Sequence, residues 1–194
     1  MLKRFTVVTT LTILFCLPAA AQQPTDRQYE YKLLATSRVS TMEKEMNEAA
    51  AVGYGFEEVI SGETAFGGSE VVVIMSRAAG ATRPRHQYKL LATSKTSTME
   101  KELQEAGDAG FMHRDTTVFR KTFGTEVTVI LERDLIEPGR AYDYRLLATS
   151  KTSTLQKEMS EAGAEGYEFV GVTNGETSFG GTEVVAIMRR PKRR

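Results

Sequence analysis

The sequence predicts an α+β protein of three tandem β-α-β-β repeats, each an antiparallel or mixed three-stranded sheet with one helix on one face, packed as a pseudo-threefold body. Three observations carry this expectation. The segment YKLLATSKTSTMEKEL at 88–103 has near-copies in YKLLATSRVSTMEKEM at 31–46 and YRLLATSKTSTLQKEM at 144–159. Within each copy the apolar period changes from two to about 3.6 and back to two, the pattern of strand, helix and strand. Each unit holds about 48 residues, fewer than the roughly 60 at which lone domains are already marginal, so the copies are expected to share buried surface.

The units run over 29–77, 86–133 and 142–190, joined by the linker-like stretches AAGATRPR and DLIEPGRA, rich in Gly, Pro and charge. In the first strand Tyr29, Tyr31, Leu33 and Ala35 alternate with Glu30, Lys32, Leu34 and Thr36, as a sheet with one strongly buried face requires. The helix follows at once. Ser40, Ser97 and Ser153 each precede Glu43, Glu100 or Gln156 by three residues, which predicts a capping box worth about 1 kcal/mol. Met42, Met46 and Ala49, then Met99, Leu103 and Ala106, then Leu155, Met159 and Ala162, recur at i, i+4 and i+7 as one apolar stripe. Gly53, Gly110 and Gly166 are placed to close the helices in the left-handed region.

The second strands begin in YGFEEVI, FMHRDTTVF and YEFVGVT. The third, EVVVIM, EVTVIL and EVVAIM, are the most β-branched and are therefore assigned to the sheet centre as a split β-α-β arrangement. If Leu33, Val71, Val73 and Met75 face the helix, then Leu34, Val72 and Ile74 face away, with Leu91 and Ile130, and Leu147, Val185 and Ile187, in the later copies. Packing those sheet backs on one another would give one shared apolar centre.

YEYKLL at the start of a unit and EAGAEGYEFVGV after its helix resemble a family of short bacterial domains of unknown function. Its pattern runs Tyr-x-Tyr-Lys, an amphipathic helix, Gly-Trp/Tyr-Glu and a closing apolar-Arg strand. The third copy follows this pattern most closely, and the middle copy departs from it at Phe111-Met112-His113. The resemblance implies the β-α-β-β fold and no activity or catalytic residue.

The first residues differ from everything after them. Lys3 and Arg4, the apolar run from Phe5 to Leu17 and the small residues Ala19-Ala20-Ala21 read as a secretory signal peptide, 1–21, cleaved between Ala21 and Gln22. The run is shorter than the roughly 20 residues of a bilayer span, so no transmembrane segment is expected after cleavage. Phe15 before Cys16 is too bulky for a lipidation signal. Cleavage removes the single cysteine, leaving no disulfide or thiolate metal site within a mature subunit. It also leaves 23 basic against 25 acidic residues, no footprint for wholesale nucleic-acid binding. Five cations crowd the last six positions, Arg189 to Arg194, and the tail 191–194 offers itself to an anionic envelope surface or a protein.

Chemistry is sparse. The segment LATS[KR]xST sets hydroxyls and a cation before a helix N-terminus, where anions are favoured, but lacks the glycine-rich cradle of a phosphate loop. Glu63 and Glu176 stand on matching glycine-rich turns, where paired carboxylates could do acid–base work, but two copies of one turn more often mean one turn geometry used twice. His86 and His113 are the only histidines, too few donors for zinc, and His113 replaces Phe56 and Phe169 of the outer copies. The middle copy also exchanges Gly62-Glu63 for Phe119-Arg120. The reading is an exported, cofactor-free binding or scaffold protein of the bacterial cell envelope, periplasmic or extracellular. The alternative is a hydrolase or small-ligand enzyme with its site at a junction between repeats.

Overall fold

The computed structural model describes residues 28–63, 69–93, 95–120, 125–137, 140–176 and 182–192. The expected leader, with Cys16 and the Ala21–Gln22 junction, lies outside them, as do the tips of the three hairpins. Among the described residues no helix is long and apolar enough to cross a membrane.

Each unit is a strand, a helix and two strands. The first has β1 (Tyr29–Thr36), α1 (Val39–Ala50), β2 (Gly55–Glu63) and β3 (Ser69–Ala78). The second has β4 (His86–Thr93), α2 (Thr96–Asp108), β5 (Met112–Arg120) and β6 (Thr125–Asp134). The third has β7 (Tyr142–Thr149), α3 (Thr152–Ala164), β8 (Glu168–Glu176) and β9 (Thr182–Pro191). The sheet orders are β1-β3-β2, β4-β6-β5 and β7-β9-β8, and every pairing is antiparallel. The β-branched third strand is central in each, as its composition predicts.

The helices end as expected. Gly53, Gly110 and Gly166 have φ of 94°, 83° and 89°, and the next residue's amide reaches back to Ala49, Ala106 or Ala162. Their beginnings differ from the expectation. The N-cap residues are Arg38, Lys95 and Lys151, with no side-chain cap, so Ser40, Ser97 and Ser153 lie inside the first turn. The turn into each helix is held instead by Thr36, Thr93 and Thr149, whose Oγ1 atoms accept from the amides of Arg38, Lys95 and Lys151 at 3.1–3.2 Å. Glu43 and Glu100 are free of the box and reach into the following unit.

The facing of the leucines also differs. Register pairs Leu34 with Val73 and Leu33 with Ile74, so Leu34 joins Val71, Val73 and Met75 under the helix while Leu33 points to the back of the sheet. The back carries Leu90 with Ile130 in the second unit and Leu146 with Ile187 in the third.

The units pack front to back in series. One core joins Met42, Met46, Phe56, Val73 and Met75 from the front of the first unit to Tyr88, Leu90, Phe119 and Ile130 from the second. The next joins Met99, Leu103, Val129 and Leu131 to Tyr144, Leu146 and Ile187 of the third. What the three copies share is thus a stacking rule in place of a common centre. A helix is roughly 10 Å across and a three-stranded sheet about 14 Å wide. The helix therefore leaves part of its own sheet front bare, and the next sheet's back fills it.

Candidate binding surfaces

The stacking rule is written in a few side chains. The first strand of each unit is an edge strand, with outward-pointing amides and carbonyls that need partners. At the first junction α1 supplies them. Asn47 Nδ2 donates to Tyr88 O at 2.9 Å, Asn47 Oδ1 accepts from Tyr88 N at 3.0 Å, and Glu43 accepts from Leu90 N at 2.8 Å. At the second junction Gln104, one methylene longer, spans from Tyr142 O to Tyr144 N, and Glu100 accepts from Leu146 N. Helices α1 and α2 therefore cap the free edges of the second and third sheets.

The tyrosine on that edge completes the joint. The Phe56 and His113 amides lie on the edge strands β2 and β5, beside a bulge in each. Tyr88 Oη accepts from Phe56 N and Tyr144 Oη from His113 N, both at 2.7 Å. Tyr88 then donates to buried Glu132 at 2.8 Å, and Tyr144 to Phe111 O at 3.2 Å. Burial raises both phenol pKa values, Tyr144 to about 12, with the Glu132 carboxylate adding to the rise at Tyr88.

The array ends leave these same positions bare. Tyr31 is 65 % exposed where Tyr88 is 2 %, and Leu33 is 66 % exposed where Leu90 is 8 %. At the other end Phe169 is 52 % exposed where Phe56 is 5 %, and Val172 beside it is 54 % exposed. Ile60 extends the first patch across the back of the first sheet, and a shallow groove of about 410 Å³ along α3, lined by Leu155, Gln156 and Met159, extends the last.

Among the residues singled out in the sequence, His113 is buried and neutral. Desolvation, with the Arg189 and Arg114 charges, depresses its pKa to about 4, and Nε2 lies 2.9 Å from Thr116 Oγ1. Its ring also fills the space beside Gly171, where an added Cβ would come within 2.7 Å of it. His86 stands 3.4 Å from Glu132, whose other oxygen holds Tyr88, so both histidines serve the junctions. Glu63 and Glu176 close β2 and β8, with side chains outside the described set. No cluster of three His, Cys, Asp or Glu side chains suited to a metal occurs among the described residues. At the N-terminus of α2 the Thr96 hydroxyl donates to Glu183 at 2.7 Å, so the chain's own carboxylate occupies that position.

The basic end is engaged as well. Arg189 pairs with Glu168, Arg190 with Asp143 at 3.1 Å, and Lys192 with Asp108. Strand β9 continues to Pro191, so the segment begins as sheet and not as a loose tail.

One cavity lies at the first junction, about 170 Å³, lined by Ser37, Ser61, Gly62, Glu70, Val71, Val118, Phe119 and Arg120. Near this junction Asp115 has a raised pKa through burial and the neighbouring Glu58. Asn47, Gln104 and Glu132 were missed as functional residues in the sequence, and the recurrence of Asn, Gln and Ser160 at one helix position was the signal available. In comparisons with protein-family models, curated proteins and solved structures, nothing matches this chain.

Proposed function

We propose that the chain is an exported, non-enzymatic binding or scaffold protein of the bacterial cell envelope that works through the two ends of its array. The carrying observation is that two matching faces, buried against each other at both junctions, are each left bare at one end of the array. Contiguous apolar surface of this kind marks interaction sites in soluble proteins. The leader-like first 21 residues support export. With Arg189, Arg190 and Lys192 paired to carboxylates, the apolar faces are stronger candidates for partner contact than the basic end. Cell fractionation and N-terminal sequencing test the export half: a mature chain beginning at Gln22 is expected, and a retained Met1 or a lipid on Cys16 contradicts it.

The junction cavity favours the enzymatic alternative, since it brings Ser61, Glu70 and Arg120 from two units together. Its volume of about 170 Å³ falls below the roughly 300 Å³ at which sites for drug-sized ligands begin, which weighs for the binding reading. Assays against esters, glycosides and peptides, wild type beside Glu70→Gln, separate the two: turnover lost in the variant would establish the alternative.

A further inference from the structure

We propose that the partner of these end faces is a second copy of the chain, joined head to tail, with the first strand of one copy seated against the third unit of the other. The inference rests on the reading of the end faces as binding surfaces and names what binds them. Its ground is continuity with an interface the chain builds twice. The groove on α3 is lined by Thr152, Leu155, Gln156, Met159 and Ser160. These are the positional equivalents of Val39, Met42, Glu43, Met46 and Asn47 on α1, and of Thr96, Met99, Glu100, Leu103 and Gln104 on α2. Of these, Glu43, Asn47, Glu100 and Gln104 hold the edges of β4 and β7, while Met42, Met46, Met99 and Leu103 join the junction cores.

The incoming surface is equally complete. Strand β1 offers Tyr31 and Leu33 where β4 inserts Tyr88 and Leu90 and β7 inserts Tyr144 and Leu146. In the seated pair Tyr31 Oη would accept from the Phe169 amide, at the third bulge, as Tyr88 does from Phe56 and Tyr144 from His113. Gln156 can accept from the Leu33 amide, as Glu43 does from Leu90. One feature is weaker. Ser160 is too short to bridge the strand edge as Asn47 and Gln104 do, and its hydroxyl donates to Gln156 O at 2.9 Å. The two internal junctions also gain from tethering, which an intermolecular one lacks. The contact between copies is therefore weaker than the internal ones and depends on concentration. Because its two surfaces differ, it is heterologous, and repetition adds further copies unless the rotation closes a ring.

Sedimentation velocity of the purified chain over a hundredfold concentration range tests this. The expected result is a mass that grows with concentration and does not stop at two copies. Leu33→Asp and Phe169→Asp each alter an exposed side chain, so circular dichroism should show both folded, and each alone should be monomeric. Mixed together they should form a dimer that grows no further, because one intact face of each kind remains. Ser160→Asn, which restores the bridge present on α1, should tighten association about tenfold. A monomer at every concentration in both wild type and Ser160→Asn overturns the proposal, as does dimerisation of either aspartate variant alone. In that event the binding-surface reading survives if a different protein is held by wild type and lost by both aspartate variants, and fails if retention is unchanged.

Discussion

The phenol of Tyr88 joins two units at one atom: its oxygen accepts from the Phe56 amide at 2.7 Å and its hydrogen goes to the Glu132 carboxylate at 2.8 Å. Both neighbours are buried, so neither has water to replace the phenol. Tyr31 occupies the equivalent position on the first unit with its side chain in solvent.

Tyr88→Phe should therefore destabilise the fold by about 1–3 kcal/mol, the cost of leaving a buried donor and acceptor unpaired. Tyr31→Phe should change stability by less than about 0.5 kcal/mol in dilute solution. Urea unfolding midpoints at matched slope compare the two.

Helix glycines at one position should respond with opposite sign. At Gly107 a Cβ would stand 2.5 Å from Tyr142 O, because α2 lies close against β7, whereas at Gly163 no atom of the described residues lies within 4 Å. Gly107→Ala should cost about 2 kcal/mol or more through displacement of the strand. Gly163→Ala should be neutral or stabilise by up to about 1 kcal/mol through helix propensity. Thermal melts of the two variants decide this.

His113 makes stability depend on pH. Its native pKa of about 4 lies below the ordinary 6.5, so the unfolded chain binds the extra proton. Stability from this group is intact above pH 6.5 and falls by up to about 3 kcal/mol as pH drops toward 4. His113→Phe, which restores the residue of the outer copies, should flatten that part of the profile whatever its effect on absolute stability. Denaturation midpoints from pH 7 to 4 for both proteins measure the difference in slope.

Thr128 lies fully buried on the back of the second sheet with its hydroxyl unpartnered among the described residues, where the outer copies have Val72 and Val185. Thr128→Val should raise stability by about 1 kcal/mol, since it replaces an unsatisfied hydroxyl by a methyl of the same shape. A higher melting temperature is the expected readout.

Much of this fold was legible in the residues because the periods are clean and the punctuation local. The alternation from Tyr29, the stripe from Met42 and the glycine at Gly53 each specify an element without reference to the rest. The facing of the sheet was not legible, because Leu33 and Leu34 are adjacent and identical, and only pairing with Ile74 and Val73 separates them. Glu43 misled for a related reason: a serine three residues before an acid has the same spacing whether the acid turns back to cap its helix or reaches out to Leu90. The end faces were hidden most completely. Tyr31, Tyr88 and Tyr144 sit in nearly identical local sequence, and their exposure follows from place in the array, which no local pattern encodes.

The central claim is that one joint is made twice within the chain and left open at its end, and the most direct measurement is hydrogen exchange at the Phe56, His113 and Phe169 amides in dilute solution. The three occupy equivalent bulges, and the first two donate to a tyrosine of the next unit. Strong protection at Phe56 and His113 with fast exchange at Phe169 is the predicted result. Three amides exchanging alike, whether all fast or all slow, would contradict the serial stack.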